Sequence, residues 1–285
     1  MYSTLSVHFL PALTSVEELA AGIVVVIDVL RASTTITTAL AAGAREVVPC
    51  AEVEQARQQA AEMTRKLKRR TAMVLGGGAA RVDEDSIATV ETLEPPPLLG
   101  GERGGLPIDG FDMGNSPSEY TPQSVGGRTI VFTTTNGTQA LQICRATQRT
   151  VFGSFVNLSA IIGELTGEVP IHLLCAGTRG RITREDVLFA GAVVEKLAGP
   201  LIEQELLNDE AQIAREVWKQ AMGNLRPPGD RANQRIADVL SGCQGGRNLI
   251  GVGLKRDIAE AAIVDRYDFA PVFDPVNWRI VKPSN

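Results

Sequence analysis

Val24-Val25-Val26-Ile27-Asp28-Val29-Leu30-Arg31-Ala32-Ser33-Thr34-Thr35 is the stretch on which the reading of this chain turns. Its opening is a near-continuous apolar, β-branched run. Such a run predicts a strand covered on both faces, because a strand between two helical layers shows no alternation. Asp28 interrupts the run at its inner end. A carboxylate there must be paired, hydrogen-bonded or bound to a cation, since an unpaired buried charge is costly. Arg31 follows, and Ser33, Thr34 and Thr35 open a helical pattern from Thr35 to Ala42, with hydroxyls where a helix exposes unbonded N–H groups. Open α/β sheets bind ligands at the carboxyl ends of their strands, and helix starts attract anions, so the segment points to a phosphorylated ligand. The plainer reading pairs Asp28 with Arg31 and makes Ser33 an ordinary N-cap worth about 1 kcal/mol.

The whole chain bounds what that segment can serve. Its 285 residues carry a formal net charge of −5 and are 44% hydrophobic, which suits a globular protein and gives no basic footprint for nucleic acid. The basic run from Lys66 to Arg70 closes a helical pattern, where cations complement the macrodipole. There is no uninterrupted apolar run of the roughly 18 residues that a membrane span needs, and no signal-peptide pattern at the N-terminus, so a cytoplasmic location without a membrane partner is expected. The four cysteines, Cys50, Cys144, Cys175 and Cys243, show no metal-ligand spacing. With only His8 and His172, a histidine-rich zinc site or a phosphohistidine mechanism is poorly supplied.

Outward from the central stretch, strand patterns at Leu5 to Leu10, Glu46 to Cys50 and Ala72 to Leu75 alternate with a helix at Glu52 to Arg69, and Gly43 suits a helix C-cap. The alternation predicts an α/β fold, a three-layer α/β/α sandwich with a mostly parallel or mixed sheet. From Ala79 to Pro122 the pattern reads as irregular. Its first part, Arg81 to Pro97, is acidic and proline-ended, and the second holds Gly100-Gly101-Glu102-Arg103-Gly104-Gly105 and Gly110 to Tyr120. Loops this long inside compact domains are usually functional or disordered, and flanking glycines let the backbone approach a ligand. Asn115-Ser116-Pro117 adds turn chemistry.

Arg128 to Ala140 repeats the central architecture: a buried strand, a hydroxyl-rich turn through Thr133, Thr134, Thr135, Asn136, Gly137 and Thr138, and a helix from Gln139 to Arg145. Such a turn makes a concave anion site. Strands at Val151 to Phe155 and Val169 to Cys175 follow, separated by a helix from Asn157 to Leu165, and a turn then leads into a helix ending at Leu197. Cys175 and Arg181 stand in the C-x5-R spacing of cysteine phosphatases, although Cys175 continues an apolar strand. Glu185 and Asp186 suit either a first helical turn, with Thr183 and Asp186 as a capping box, or a divalent metal. Residues 201–285 read as mostly helical, with a strand at Ala270 to Phe273, packed on a core sheet of about residues 1–200 in one domain.

Five pieces in register, Ile27 to Thr35, Gly101-Glu102-Arg103, Gly110 to Pro117, Thr133 to Thr138, and Cys175 to Thr178 with Glu185-Asp186, resemble the 2-phosphosulfolactate phosphatase family. The resemblance runs from about Val24 to Leu197, with a weaker echo from Asp257 to Phe273. It implies a magnesium-dependent hydrolase that converts 2-phosphosulfolactate to 3-sulfolactate and phosphate, on the route to coenzyme M. Asp28, Arg31 and Asn136 then become catalytic candidates, and Asp28, Glu102 and Asp186 candidate Mg²⁺ ligands. Ser33, Thr34, Asn115, Ser116, Thr134, Thr135, Gly137 and Thr138 become candidate substrate contacts. Arg103, Arg179 and Arg181 are candidates for the substrate's sulfonate and carboxylate. The attacking group stays open between a metal-activated water and Asp28 itself, and Leu30 removes the Asp-x-Asp spacing of haloacid-dehalogenase phosphatases. Two alternatives stand beside this reading: a metal-independent phosphatase of another hydroxy acid using Cys175, and a non-catalytic binder of phosphorylated or sulfonated metabolites. The sequence sets no oligomeric state, and a homo-oligomer stays open.

Overall fold

The computed structural model describes residues 4–76, 94–134, 137–165, 169–198, 203 and 206–283. Its strands are β1 (Leu5–His8), β2 (Ile23–Ile27), β3 (Glu46–Cys50), β4 (Leu98–Arg103), β5 (Leu106–Pro107), β6 (Thr129–Thr133), β7 (Arg149–Gly153), β8 (Ile171–Cys175), β9 (Val272–Asp274) and β10 (Arg279–Val281). They form one mixed sheet in the order β1-β8-β2-β7-β9-β10-β3-β6-β4-β5. β2, β3, β6 and β8 are buried at every position, as their near-continuous apolar runs require.

Alternate residues of β2 face opposite layers, which makes the fold a three-layer sandwich. Val25 and Ile27 pack with Phe189 and Trp218 from the Arg184–Leu197 and Asp209–Met222 helices. Val24 and Val26 pack with Ile36 and Leu40 of the Ala32–Ala41 helix. Gly191 lets two helices of the first layer touch, since a Cβ there would lie 2.0 Å from the Ala214 carbonyl oxygen. No helix among the described residues is long and apolar enough to cross a membrane.

Two parallel blocks make up most of the sheet. β1-β8-β2-β7 is one and β3-β6-β4 the other. The β9–β10 hairpin joins them through antiparallel pairs, so the blocks run in opposite senses along the ladder. Residues at the C-terminal ends of strands from both blocks border one cleft.

Several sequence-based expectations need correcting. Residues 72–75 form no strand, because the Val53–Gly76 helix runs through them, and Met73 is 78% exposed. Alanine, methionine and leucine are strong helix formers, and a short apolar run does not separate strand from helix. The glycine-rich segment holds β4, which pairs parallel with β6. Gly101 sits there at φ +139°, where a Cβ would come within 1.9 Å of the Thr133 carbonyl oxygen. Glycine is depleted in strands, which hid this one. The Ala32–Ala41 helix has Arg31 at its N-cap position, so Ser33 lies inside it and is not its N-cap. β10 had no predicted counterpart. Most of the acidic excursion, residues 77–93, lies outside the described residues.

Candidate active site

A cleft of about 710 Å³ opens beyond the C-terminal ends of β2, β4, β6 and β8. Asp28 leaves β2 at its floor, and Oδ1 accepts the Ala32 N–H at 3.2 Å, so the carboxylate itself faces the start of the Ala32–Ala41 helix. Ser33 locks this turn. Its Oγ accepts the Asp28 N–H at 3.0 Å and donates to the Val26 carbonyl at 3.3 Å. The Thr34 hydroxyl donates to the Val29 carbonyl at 2.8 Å. Both hydroxyls are therefore spent inside the turn, and neither residue lines the cleft, contrary to their expected role as substrate contacts. Ser and Thr near helix starts readily bond to local backbone, which explains the difference.

Burial pushes the Asp28 pKa up to about 7, with the charges of Glu102 and Glu185 adding to it, while the Ala32 N–H and Arg31 pull it down. Arg31 shares the cleft but is paired elsewhere. Its Nη1 donates to Asp257 Oδ2 at 2.7 Å and its Nη2 to the Gly105 carbonyl at 3.0 Å. The simple Asp28–Arg31 pair of the plainer reading is not formed. Glu102 also lines the cleft, and its Oε2 accepts the Gly105 N–H at 2.6 Å.

Arg103 does not reach the cleft, because neighbours along a strand point to opposite faces. Its guanidinium donates to the Glu102 and Ala51 carbonyls and to Thr133 Oγ1, bracing β4 and β6. Asp186 is also withdrawn. Oδ1 accepts the Val29 N–H at 3.0 Å, and Oδ2 accepts the Gly177 N–H at 3.0 Å and the Thr183 hydroxyl at 2.8 Å. It thus ties the end of β2 to the end of β8, and burial, Asp28 and Glu185 push its pKa up. Glu185 beside it is buried, with Oε1 accepting the Gly245 N–H at 3.1 Å and Oε2 without a hydrogen-bond partner.

Asn115, Thr134, Arg179 and Arg181 line the cleft. Asn115 Oδ1 is buried without a partner. Ser116 is turned away, its hydroxyl donating to Asp257 Oδ1 at 2.6 Å. Arg179 and Arg181 ride on a tight hairpin closed by hydrogen bonds of 2.9 and 3.1 Å between Thr178 and Arg181. Thr135 and Asn136 lie outside the described residues, and Gly137 and Thr138 open the Gly137–Ile143 helix.

The sequence reading missed the wall supplied by the helical C-terminal part: Gln244, Gly245, Asn248 and Leu249 line the cleft, and Asp257 holds Arg31 from behind. Gly245 carried one legible signal, a glycine pair opening a helix. A Cβ there would lie 2.2 Å from Glu185 Oε1. Asp257 opens the weaker family echo, but nothing in the local pattern of its helix marks it as a partner of Arg31.

Cys175 is fully buried, does not line the cleft that holds Arg181, and has its thiol pushed well above the ordinary range by burial and by Asp186. The cysteine-phosphatase alternative therefore fails, since the thiolate is the nucleophile. A Cys175→Ser variant is expected to keep its phosphate release and to lose about 1–3 kcal/mol of stability, the cost of a buried hydroxyl. Abolished turnover in folded Cys175→Ser would reinstate the thiol.

The raised pKa of Asp28 also makes a stability prediction for metal-free protein. Between about pH 4 and pH 7 the folded state holds a proton that the unfolded chain has lost, so this group's contribution to stability falls as pH rises. Measured against Asp28→Asn, wild-type stability should fall from pH 5 to pH 7, by up to about 2–3 kcal/mol, with Asp186 and Glu185 sharing in the titration. Denaturant titrations at both pH values check it, and a rise over that range would contradict it.

A family model described as 2-phosphosulpholactate phosphatase matches residues 8–275. The chain is similar to proteins named probable 2-phosphosulfolactate phosphatase in three bacteria. Identity is 38% over 258 residues in Symbiobacterium thermophilum, covering 90% of this chain and 93% of the relative. It is 33% over 280 residues in Pseudothermotoga lettingae, covering 98% and 99%. In Thermotoga maritima it is 33% over 247 residues, covering 87% of each.

Proposed function

The chain belongs to the 2-phosphosulfolactate phosphatase family of phosphoric monoester hydrolases, and from that premise we propose that it hydrolyses 2-phosphosulfolactate to 3-sulfolactate and phosphate, with Mg²⁺ held by Asp28 and Glu102. One observation carries the reading: two carboxylates and three arginines, Arg31, Arg179 and Arg181, line a single cleft. A phosphate ester that also bears a carboxylate and a sulfonate needs several cationic partners, and the carboxylates need a cation of their own.

The residues fit Mg²⁺. This ion takes one or two carboxylates, keeps several waters and completes its shell with substrate phosphate oxygens. The cleft offers two carboxylates, and among the described residues no thiol or imidazole lines it. Asp186, with both oxygens engaged, serves in this reading as a brace for Asp28. When bound, Mg²⁺ supplies neutralisation of phosphoryl charge.

The chain's own residues do the rest. Uncatalysed phosphate-monoester hydrolysis is so slow that enzymes reach accelerations of up to ~10²¹, whereas general acid–base help supplies roughly 10²–10⁴. Charge stabilisation must dominate. Arg31 and Thr134 donate to the equatorial phosphoryl oxygens, and Asn136 keeps the catalytic role that the family resemblance implies. A water oxygen bonds phosphorus as the ester P–O bond breaks; one proton of that water stays with the phosphate and the other passes to the leaving alkoxide. Arg179 and Arg181 bind the sulfonate and carboxylate.

The test compares phosphate release from 2-phosphosulfolactate and from phospholactate, which lacks the sulfonate. A kcat/KM at least about tenfold higher for the sulfonated ester is expected from one lost ionic contact. Equal rates would remove the sulfonate from the reading, and binding of the sulfonated ester without any release would favour the non-catalytic binder.

A further inference from the structure

We propose that Asp257 is a positioning residue for the hydrolysis, holding Arg31 so that its free N–H groups meet the phosphoryl group and not the metal-binding carboxylates. The proposal rests on the reading of Arg31 given above. Asp257 stands 226 positions from Arg31, on the Lys255–Ala261 helix, and is 1% exposed. Both of its oxygens are used: Oδ2 accepts Arg31 Nη1 at 2.7 Å, and Oδ1 accepts the Ser116 hydroxyl at 2.6 Å.

Arginine presents five N–H donors in a planar fork, so two anchors at its two Nη atoms set the plane of the whole group. Those anchors are Asp257 and the Gly105 carbonyl. Gly105 in turn donates its N–H to Glu102 Oε2, so the contacts run without a break from Ser116 through Asp257, Arg31 and Gly105 to Glu102. The three remaining N–H groups have no acceptor among the described residues, and Arg31 lines the cleft. Without Asp257, a guanidinium in a cleft shared with Asp28 and Glu102 would turn to those carboxylates. It would then neutralise the groups that hold Mg²⁺ and leave the phosphoryl charge uncompensated. The helical C-terminal part thus completes the site through a residue that does not line the cleft.

The experiment is a double-mutant cycle on the full chain with 2-phosphosulfolactate and Mg²⁺. Asp257→Asn should lower kcat/KM by about 10²-fold, mostly through kcat with KM little changed, as for a displaced transition-state contact. In the Arg31→Ala background the same change should cost less than about twofold, because the group it positions is gone. Ser116→Ala keeps the ion pair and removes only the hydroxyl that orients Asp257. It should show a smaller loss that also vanishes in Arg31→Ala, and it replaces Asp257→Asn in the cycle if that variant does not fold. Losses that multiply would overturn the proposal, since Asp257 would then act on the fold and not through Arg31. If wild-type protein releases no phosphate, the substrate reading fails by itself, and the same cycle is read from inorganic phosphate binding by calorimetry. Coupled losses of affinity there support the positioning role; independent losses, or no phosphate binding to wild type, refute it.

Discussion

Asp28→Asn is expected to lower kcat for phosphate release by at least about 10³-fold while leaving the protein folded. Loss of a residue that merely supports a metal ligand typically costs 10- to 100-fold, and Asp28 is assigned to the ligand position itself. The fold should survive because asparagine has the same shape and keeps an oxygen to accept the Ala32 N–H. Above pH 7 the variant should match or exceed the wild type in thermal stability without metal, because it removes a buried charge crowded by Glu102 and Glu185. Phosphate release and melting curves on the same preparation check both halves. A folded variant with less than tenfold loss would take Asp28 out of the chemistry.

Arg31→Ala should be the second severe change, with two separable costs. Removing one preorganised donor from a developing oxyanion costs about 10²–10³ in kcat. The substitution also strands Asp257, which is almost fully buried and has no other cationic partner among the described residues, and breaking such a pair costs about 3–5 kcal/mol of stability. Arg181→Ala offers the contrast. That side chain is exposed on a hairpin, so its loss should raise KM and leave the melting temperature nearly unchanged. Steady-state kinetics with denaturant melts would separate the two arginines. Equal effects on KM and stability would contradict their assignment to different ends of the substrate.

The parts of this molecule that the sequence made legible are those whose physics is local. β2, β3, β6 and β8 are covered on both faces, so their apolar runs announce them. Asp28 and Glu102 stood out as charges at a strand end and between glycines, and both line the cleft. What local pattern cannot give is the direction in which a side chain spends its hydrogen bonds. Ser33 and Thr34 close their own turn, Ser116 serves Asp257, and Arg103 points to the far face of β4. Asp186 looked like a metal ligand because of its place after β8, yet three donors from two strand ends and a turn consume its oxygens. The roles of Asp257 and Gly245 were hidden for a different reason: they arise from packing between segments far apart in the chain.

The most direct measurement is phosphate release from 2-phosphosulfolactate by the purified protein with Mg²⁺ and again with excess chelator, beside Asp28→Asn. The account predicts release that stops on chelation, returns when Mg²⁺ is added back, and is lost in the variant. Release by wild type that survives chelation, or persists undiminished in Asp28→Asn, would contradict it.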